Sequence, residues 1–140
     1  MAMHTGRGIS AIEYPTGMNQ NGDPSQAWIK IKPDGRVDVF SGTSDIGNGS
    51  KTIQSQIAAE TLGVPYEWIT YDNSNTDSSP LCTGTFASRA TFVAGNAVLK
   101  AGTSACDDGS RLAAMMRAVA PNATQIRIFT IAEWVISGRP

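Results

Sequence analysis

Apolar and polar residues alternate most regularly over residues 28–40. Trp28-Ile29-Lys30-Ile31-Lys32 and Arg36-Val37-Asp38-Val39-Phe40 each offer one face to a core and one to water, and Pro33-Asp34-Gly35 between them is tight-turn chemistry. The pattern predicts a β-hairpin. The period then changes: Ile53, Ile57, Ala58 and Leu62 recur at helical spacing after Ser50, a candidate N-cap, and Gly63 with Pro65 ends the helix. Glu67 to Tyr71 reads as a further strand, and a weaker one is expected around Gly8–Tyr14. A second helix is predicted to begin between Ser88 and Thr91 and to carry "FVAGNAVLKAGTSA", with Gly95, Gly102 and Gly109 weakening it. "RLAAMMRAVA" continues as helix with Pro121-Asn122 as its stop, and "TQIRIFTIAEWVISG" reads as two short strands or a last hairpin.

The order β-β-α-β-α-(α)-β-β, with strands meeting mostly in hairpins, predicts an α+β fold: a mixed, largely antiparallel sheet with helices packed on one face. With 140 residues the chain is expected to form a single domain, residues 1–140, whose first seven residues are disordered. Eleven basic and twelve acidic residues are scattered without a cluster, which argues against nucleic acid as a partner. No apolar run is long enough to span a bilayer and "MAMHTGRGIS" lacks the apolar core of a signal peptide, so a cytoplasmic protein without membrane contact is expected. Cys82 and Cys106 are then read as reduced thiols rather than a disulfide. His4, the only histidine, lies near the terminus, which removes His-based metal binding and Ser–His catalysis. Glu13, Glu60, Glu67, Glu133 and the Asp107-Asp108 pair read as solvated surface charge, and Cys82 has no histidine to activate it.

Two polar segments stand outside this core pattern. The first, "SGTSDIGNGSKT", holds Gly42, Gly47 and Gly49 directly before a helix whose first turn offers unpaired N–H groups and the positive end of its dipole. A phosphate, carbonyl or other acceptor group suits such a place, although the spacing is not that of a Walker loop; a strand-to-helix turn without a ligand explains the glycines equally well. The second segment, Asp72 to Thr91, is long for a connection and also enters a helix. Thr83, Thr85, Ser88 and Thr91 supply hydroxyls there, Arg89 a charge suited to phosphate, and Phe86 either a ligand contact or a plug that anchors the loop on the core. Two such loops suggest one large anionic cofactor gripped from two sides.

"GTSDIGNGSKTIQSQIAAETLGVP", "DNSNTDSSP" and "TGTFASRATFVAGNAV", taken in order, resemble consecutive blocks of the molybdopterin-binding large subunit of the xanthine dehydrogenase and aldehyde oxidase family, the molybdenum hydroxylases. "GRGISAIEY" and the hairpin fall in the same order, so the likeness runs from about Gly6 to Lys100. It implies that Gly47, Asn48, Gly49 and Ser50, then Thr85, Phe86, Ala87, Ser88, Arg89 and Thr91, contact the molybdenum cofactor, with Phe86 and Ala87 nearest the metal. Asn48 stands where the family usually has glutamine, keeping the amide but shortening its reach by one methylene.

The resemblance further implies an oxidoreductase that inserts a water-derived oxygen into a C–H bond of an aldehyde or N-heterocycle. Its electrons leave through iron–sulfur and FAD subunits or domains, and its pterin takes a mononucleotide or dinucleotide form. The family's catalytic glutamate belongs to a later glycine-rich motif, so no catalytic residue is assigned here. The chain is accordingly expected to be one portion of the molybdenum subunit, inactive alone, partnered by the remaining segments and prone to self-associate when isolated. The alternative is a non-catalytic structural or interaction module that has lost the cofactor.

Overall fold

The alternating stretch forms the hairpin it predicts. Strand β1 (Ser25–Ile31) pairs antiparallel with β2 (Val37–Ser41), Ile29 opposite Val39 and Ile31 opposite Val37. The turn closes through Lys32 N–H to Arg36 O (2.8 Å), and Gly35 takes the left-handed conformation at φ +82° that a side chain resists. The computed structural model describes residues 4–18, 22–32, 34–73, 75–107 and 128–134, with backbone only for residues 107 and 128–134. One face of the hairpin buries Ala27, Ile29, Ile31, Val37 and Val39; the other leaves Trp28, Lys30, Asp38 and Phe40 half-buried, with Lys32 Nζ 2.7 Å from Asp38 Oδ1.

Helix α1 (Ser50–Leu62) follows and stops at Gly63, whose φ of +66° lets the last carbonyls be satisfied by Gly63 and Val64 N–H. Its cap differs from expectation: the N-cap is Gly49, at φ +75°, and Ser50 is already the first helical residue. Strand β3 (Ile69–Asp72) begins two residues later than predicted, because Tyr66–Trp68 wind into a 3₁₀ turn closed by Trp68 N–H to Pro65 O. It runs parallel to β2, Val39 opposite Tyr71, with α1 as the crossover. A π turn (Ala90–Ala94) leads into α2 (Gly95–Asp107), and β4 (Ile128–Trp134) pairs antiparallel with β1. The sheet order is β3-β2-β1-β4. The fold is α+β with a mixed, largely antiparallel sheet, as the sequence predicts.

Other expectations change, and one falls outside the described residues. Residues 8–14 form no strand: nothing among the described residues pairs with them, and Ile9 stands free at 102% exposure. Residues 128–134 are one unbroken strand rather than two short ones or a hairpin. The helix predicted over "RLAAMMRAVA", its Pro121-Asn122 stop and Gly109 lie outside the described residues. Gly95 and Gly102, which by propensity should weaken α2, are the points where α2 meets α1. A Cβ on Gly102 would sit 2.7 Å from Thr61 Cγ2, and one on Gly95 2.8 Å from Ile57 Cδ1. Around this seam Ala58, Leu62, Ala97, Val98, Ala101 and Ala105 close over Ile29, Val39 and Tyr71 as one core.

The two glycines should therefore differ. Gly102→Ala meets a β-branched side chain fixed in a helix, so overpacking of roughly 1–3 kcal/mol outweighs the propensity gain of about 1 kcal/mol and destabilises the chain. Gly95→Ala meets the terminal methyl of Ile57, which can rotate, and lies at ordinary contact distance from Gln54 Oε1, and should be close to neutral. Urea denaturation of the two variants checks the order.

Candidate functional site

The two polar segments are in contact. Thr85 Oγ1 donates to Ser44 O at 2.8 Å, and Gln54 Nε2, wholly buried on α1, donates to Ala90 O at 2.8 Å at the head of the π turn. Glycine serves this approach at Gly42: a Cβ there would collide with the Pro80 carbonyl oxygen and lie 2.8 Å from Cys82 Cβ. This glycine admits the protein's own second loop rather than a ligand. Tyr71 OH and Asn73 Nδ2 meet the Thr43 carbonyl at 3.5 and 3.0 Å and complete the seam. Burial pushes the Tyr71 phenol up to about 12.

Within the first loop most of the donors expected to meet a ligand are already taken. Asp45 accepts from Gly47 N–H (2.9 Å), Gly49 N–H (3.3 Å) and Lys51 N–H (3.0 Å). The bond from Lys51 and then that from Gly47 hold its carboxyl below the usual carboxylate range. Asn48 turns back on the same loop: its Oδ1 accepts from Ile46 N–H (3.3 Å) and its Nδ2 donates to Ser50 Oγ (2.8 Å). The amide of a shorter side chain has found its partners next door. Asp45 went unnoticed in the sequence, although Asp two residues before a glycine is an Asx-turn signal.

The second loop is arranged oppositely. Ala87 and Ser88 both lie in the left-handed region, at φ +48° and +50°, and Arg89 N–H closes on Phe86 O at 3.1 Å, which makes Phe86–Arg89 a type I′ turn on two residues other than glycine. Left-handed backbone costs such residues about 1–2 kcal/mol each. The turn is held by Gly17 N–H, which donates to Ala87 O at 2.7 Å, and by Arg89. Among the described residues the N–H groups of Phe86, Ala87 and Ser88 have no acceptor. Ser88, Thr91 and Phe86 are exposed, so Phe86 does not plug the core; its ring packs over Gly84 with the Arg89 Cζ 5.9 Å from its centroid.

Arg89 takes a different part from the one its charge suggests. Its guanidinium is wholly buried, with Nε 2.7 Å from Asp23 Oδ1, Nη1 donating to Gly84 O (2.6 Å) and Cys82 Sγ (3.0 Å), and Nη2 donating to Pro24 O (2.8 Å). Four of its five N–H groups are committed and the side chain is without solvent exposure, so it is not placed to meet a phosphate. The reason lies 66 residues away in the sequence, at Asp23, which no local signal marks. Burial raises the Cys82 thiol, but the Thr43 hydroxyl and the Arg89 guanidinium outweigh it and bring the thiol below its ordinary range. A cavity of about 360 Å³ opens beside Cys82, lined also by Gly42, Ser44, Asn73 and Ser79. None of the ten residues expected to contact a cofactor lines it.

Residues 2–137 match the molybdopterin cofactor-binding domain family. The chain is 34% identical over 105 residues to the xanthine dehydrogenase molybdenum-binding subunit of Escherichia coli O157:H7, covering 71% of itself and 13% of that subunit. Over 71 residues it is 42% identical to the carbon monoxide dehydrogenase large chain of Afipia carboxidovorans, covering 51% of itself and 9% of the relative. The crystal structure of a Cu,Mo-CO dehydrogenase superposes with a TM-score of 0.65 at 34% identity, over 74% of this chain and 14% of the other. The aldehyde oxidoreductase of Desulfovibrio gigas shares the fold, with a TM-score of 0.66 at 21% identity over 88% of this chain and 14% of its own. The protein belongs to the molybdopterin cofactor-binding domain family, and it spans about one eighth of the length of the E. coli subunit.

Two outcomes test this description. Arg89→Met strands the buried Asp23 carboxylate and should cost about 3–5 kcal/mol in denaturant unfolding, far more than any other substitution in the loop. The bonds to Asp45 are present above the ordinary carboxylate pKa and are lost as pH falls through its lowered value. The Gly47, Gly49 and Lys51 amide signals should shift together in an NMR titration, with a midpoint below 3.8, and stay still in Asp45→Asn.

Proposed function

We propose that this chain forms part of the cofactor cradle of a xanthine dehydrogenase-type oxidoreductase and acts only when assembled with the remaining molybdenum-subunit segments and with iron–sulfur and FAD partners. The observation that carries the reading is the Phe86–Arg89 turn. A backbone strained at two consecutive residues leaves three N–H groups without acceptors, and strain of this kind persists where the surroundings impose it and a site uses it. These donors, the Ser88 and Thr91 hydroxyls and the Phe86 ring fit the polar edge and flat face of a pterin. Gly17, Asp23 and Arg89 hold them in place from behind.

When bound, the cofactor supplies the redox chemistry for oxygen insertion into an aldehyde or heterocycle C–H bond. The chain's own residues orient it. The Ser44–Thr85 bond holds the first loop against the second. The assembly reading is supported by apolar side chains in solvent, Ile9, Ile12, Ile46 (72% exposed), Leu81 (65% exposed) and Phe92 among them. No described helix is long and apolar enough to cross a membrane, and a cytoplasmic setting accords with the proposed partners.

A second reading, a non-catalytic structural module that no longer binds cofactor, is favoured by the first loop, where Asn48 and Asp45 already occupy their donors and acceptors.

Metal analysis separates the two. Purified alone, the chain should hold no molybdenum and oxidise neither aldehyde nor purine; co-expressed with a complementing molybdenum subunit and its iron–sulfur and flavin partners, it should co-purify with molybdenum. Assembly without metal supports the second reading, and turnover by the isolated chain overturns the first. The turn itself is tested by a pair of substitutions. Ala87→Gly removes about 1–2 kcal/mol of left-handed strain against about 0.4–1 kcal/mol of unfolded-chain entropy, and should be neutral to stabilising with metal retained. Ala87→Val, β-branched at a positive φ, should destabilise the chain and lower the molybdenum content of the assembly.

A further inference from the structure

We infer that Asp45 is a specificity-determining residue: its carboxylate takes three backbone N–H groups at the head of α1 and places a negative charge there that disfavours anions. The sequence of the loop alone suggests the opposite, since glycines before a helix N-terminus usually mark a place where a phosphate is welcome. Here the chain supplies the anion itself. Oδ1 takes Gly47 N–H and Gly49 N–H, and Oδ2 takes Lys51 N–H, inside the first turn of the helix. Asn48 takes Ile46 N–H, so four of the six backbone donors from residue 46 to residue 51 end on side chains of the same loop. Gly47 and Gly49, at φ +95° and +75°, have open space where a Cβ would stand. Their glycine character answers to the backbone path that wraps the carboxylate, not to a neighbour pressing close.

An incoming phosphate would meet the Asp45 carboxylate there, and like charges at contact distance disfavour it. Its alternative is to displace Asp45, which then loses three hydrogen bonds. A ligand spanning both loops therefore turns its neutral or donor-bearing part toward residues 45–49. Its anionic part lies away from Asp45, and the N–H groups of Phe86, Ala87 and Ser88 are donors open to it in the second loop. That consequence for a pterin rests on the function proposed above; the closure itself does not.

The full chain, ¹⁵N-labelled, is titrated with inorganic phosphate at constant ionic strength and neutral pH. In the wild type the Gly47, Gly49 and Lys51 amides should not move. In Asp45→Ala, where all three donors are released and the Lys51 charge remains, they should shift with saturation, at an affinity at least roughly tenfold above wild type, a difference of about 1.4 kcal/mol. Asp45→Asn retains an oxygen for the two glycines and frees Lys51, and should fall between. It keeps the test sound if Asp45→Ala loosens the loop. Saturable wild-type shifts at these amides overturn the inference, as does a failure of both variants to bind phosphate. Either failure leaves the co-purification of molybdenum untouched, so the two readings stand or fall separately.

Discussion

The pairing of Arg89 with Asp23 holds this structure in the form that matters. A guanidinium and a carboxylate, both without solvent exposure, are costly to bury and stable only when every hydrogen-bonding group around them is matched. Here the matching partners are the carbonyls of Pro24 and Gly84, the thiol of Cys82 and the N–H of Met18, drawn from two segments far apart in the chain. The pair therefore fixes where the second loop crosses the segment before β1. That crossing in turn places Gly17 against the Ala87 carbonyl and imposes a left-handed turn on residues that would not choose one.

A similar economy of space governs the helices. Alanines and glycines along α1 and α2 let the two helices close on each other and on the sheet, and the buried Gln54 amide joins α1 to the start of the π turn. A side-chain donor on the Ala90 carbonyl accompanies the i to i+5 pairing of Gly95 N–H to the same oxygen. The widened turn sits directly after the Phe86–Arg89 turn, so helix packing and loop shape are set by the same few contacts.

The two polar loops look alike as strings of glycine, serine and threonine, but their chemistry diverges. One is closed on itself through Asp45 and Asn48, and the other holds unmatched donors outward. The chain belongs to the molybdopterin cofactor-binding domain family and spans only a small part of its relatives' length. Its open donors and exposed apolar side chains both call for contacts that the described residues do not provide.

Periodicity alone determined the hairpin, the extent of α1, the start of the second helix near Thr91 and the α+β class, because these depend on neighbours two to four residues apart. Three ordered blocks of sequence also carried the family. Tertiary structure decided the rest. Arg89 changed from a ligand contact to a buried anchor because Asp23 reaches it across 66 residues. Gly42, Gly95 and Gly102 became contact points because other segments press on them, and the stretch around Gly8–Tyr14 lost its strand because no edge among the described residues pairs with it. Each of these outcomes depends on which distant groups compete for the same hydrogen bond or the same volume, and spacing along a chain does not record that competition.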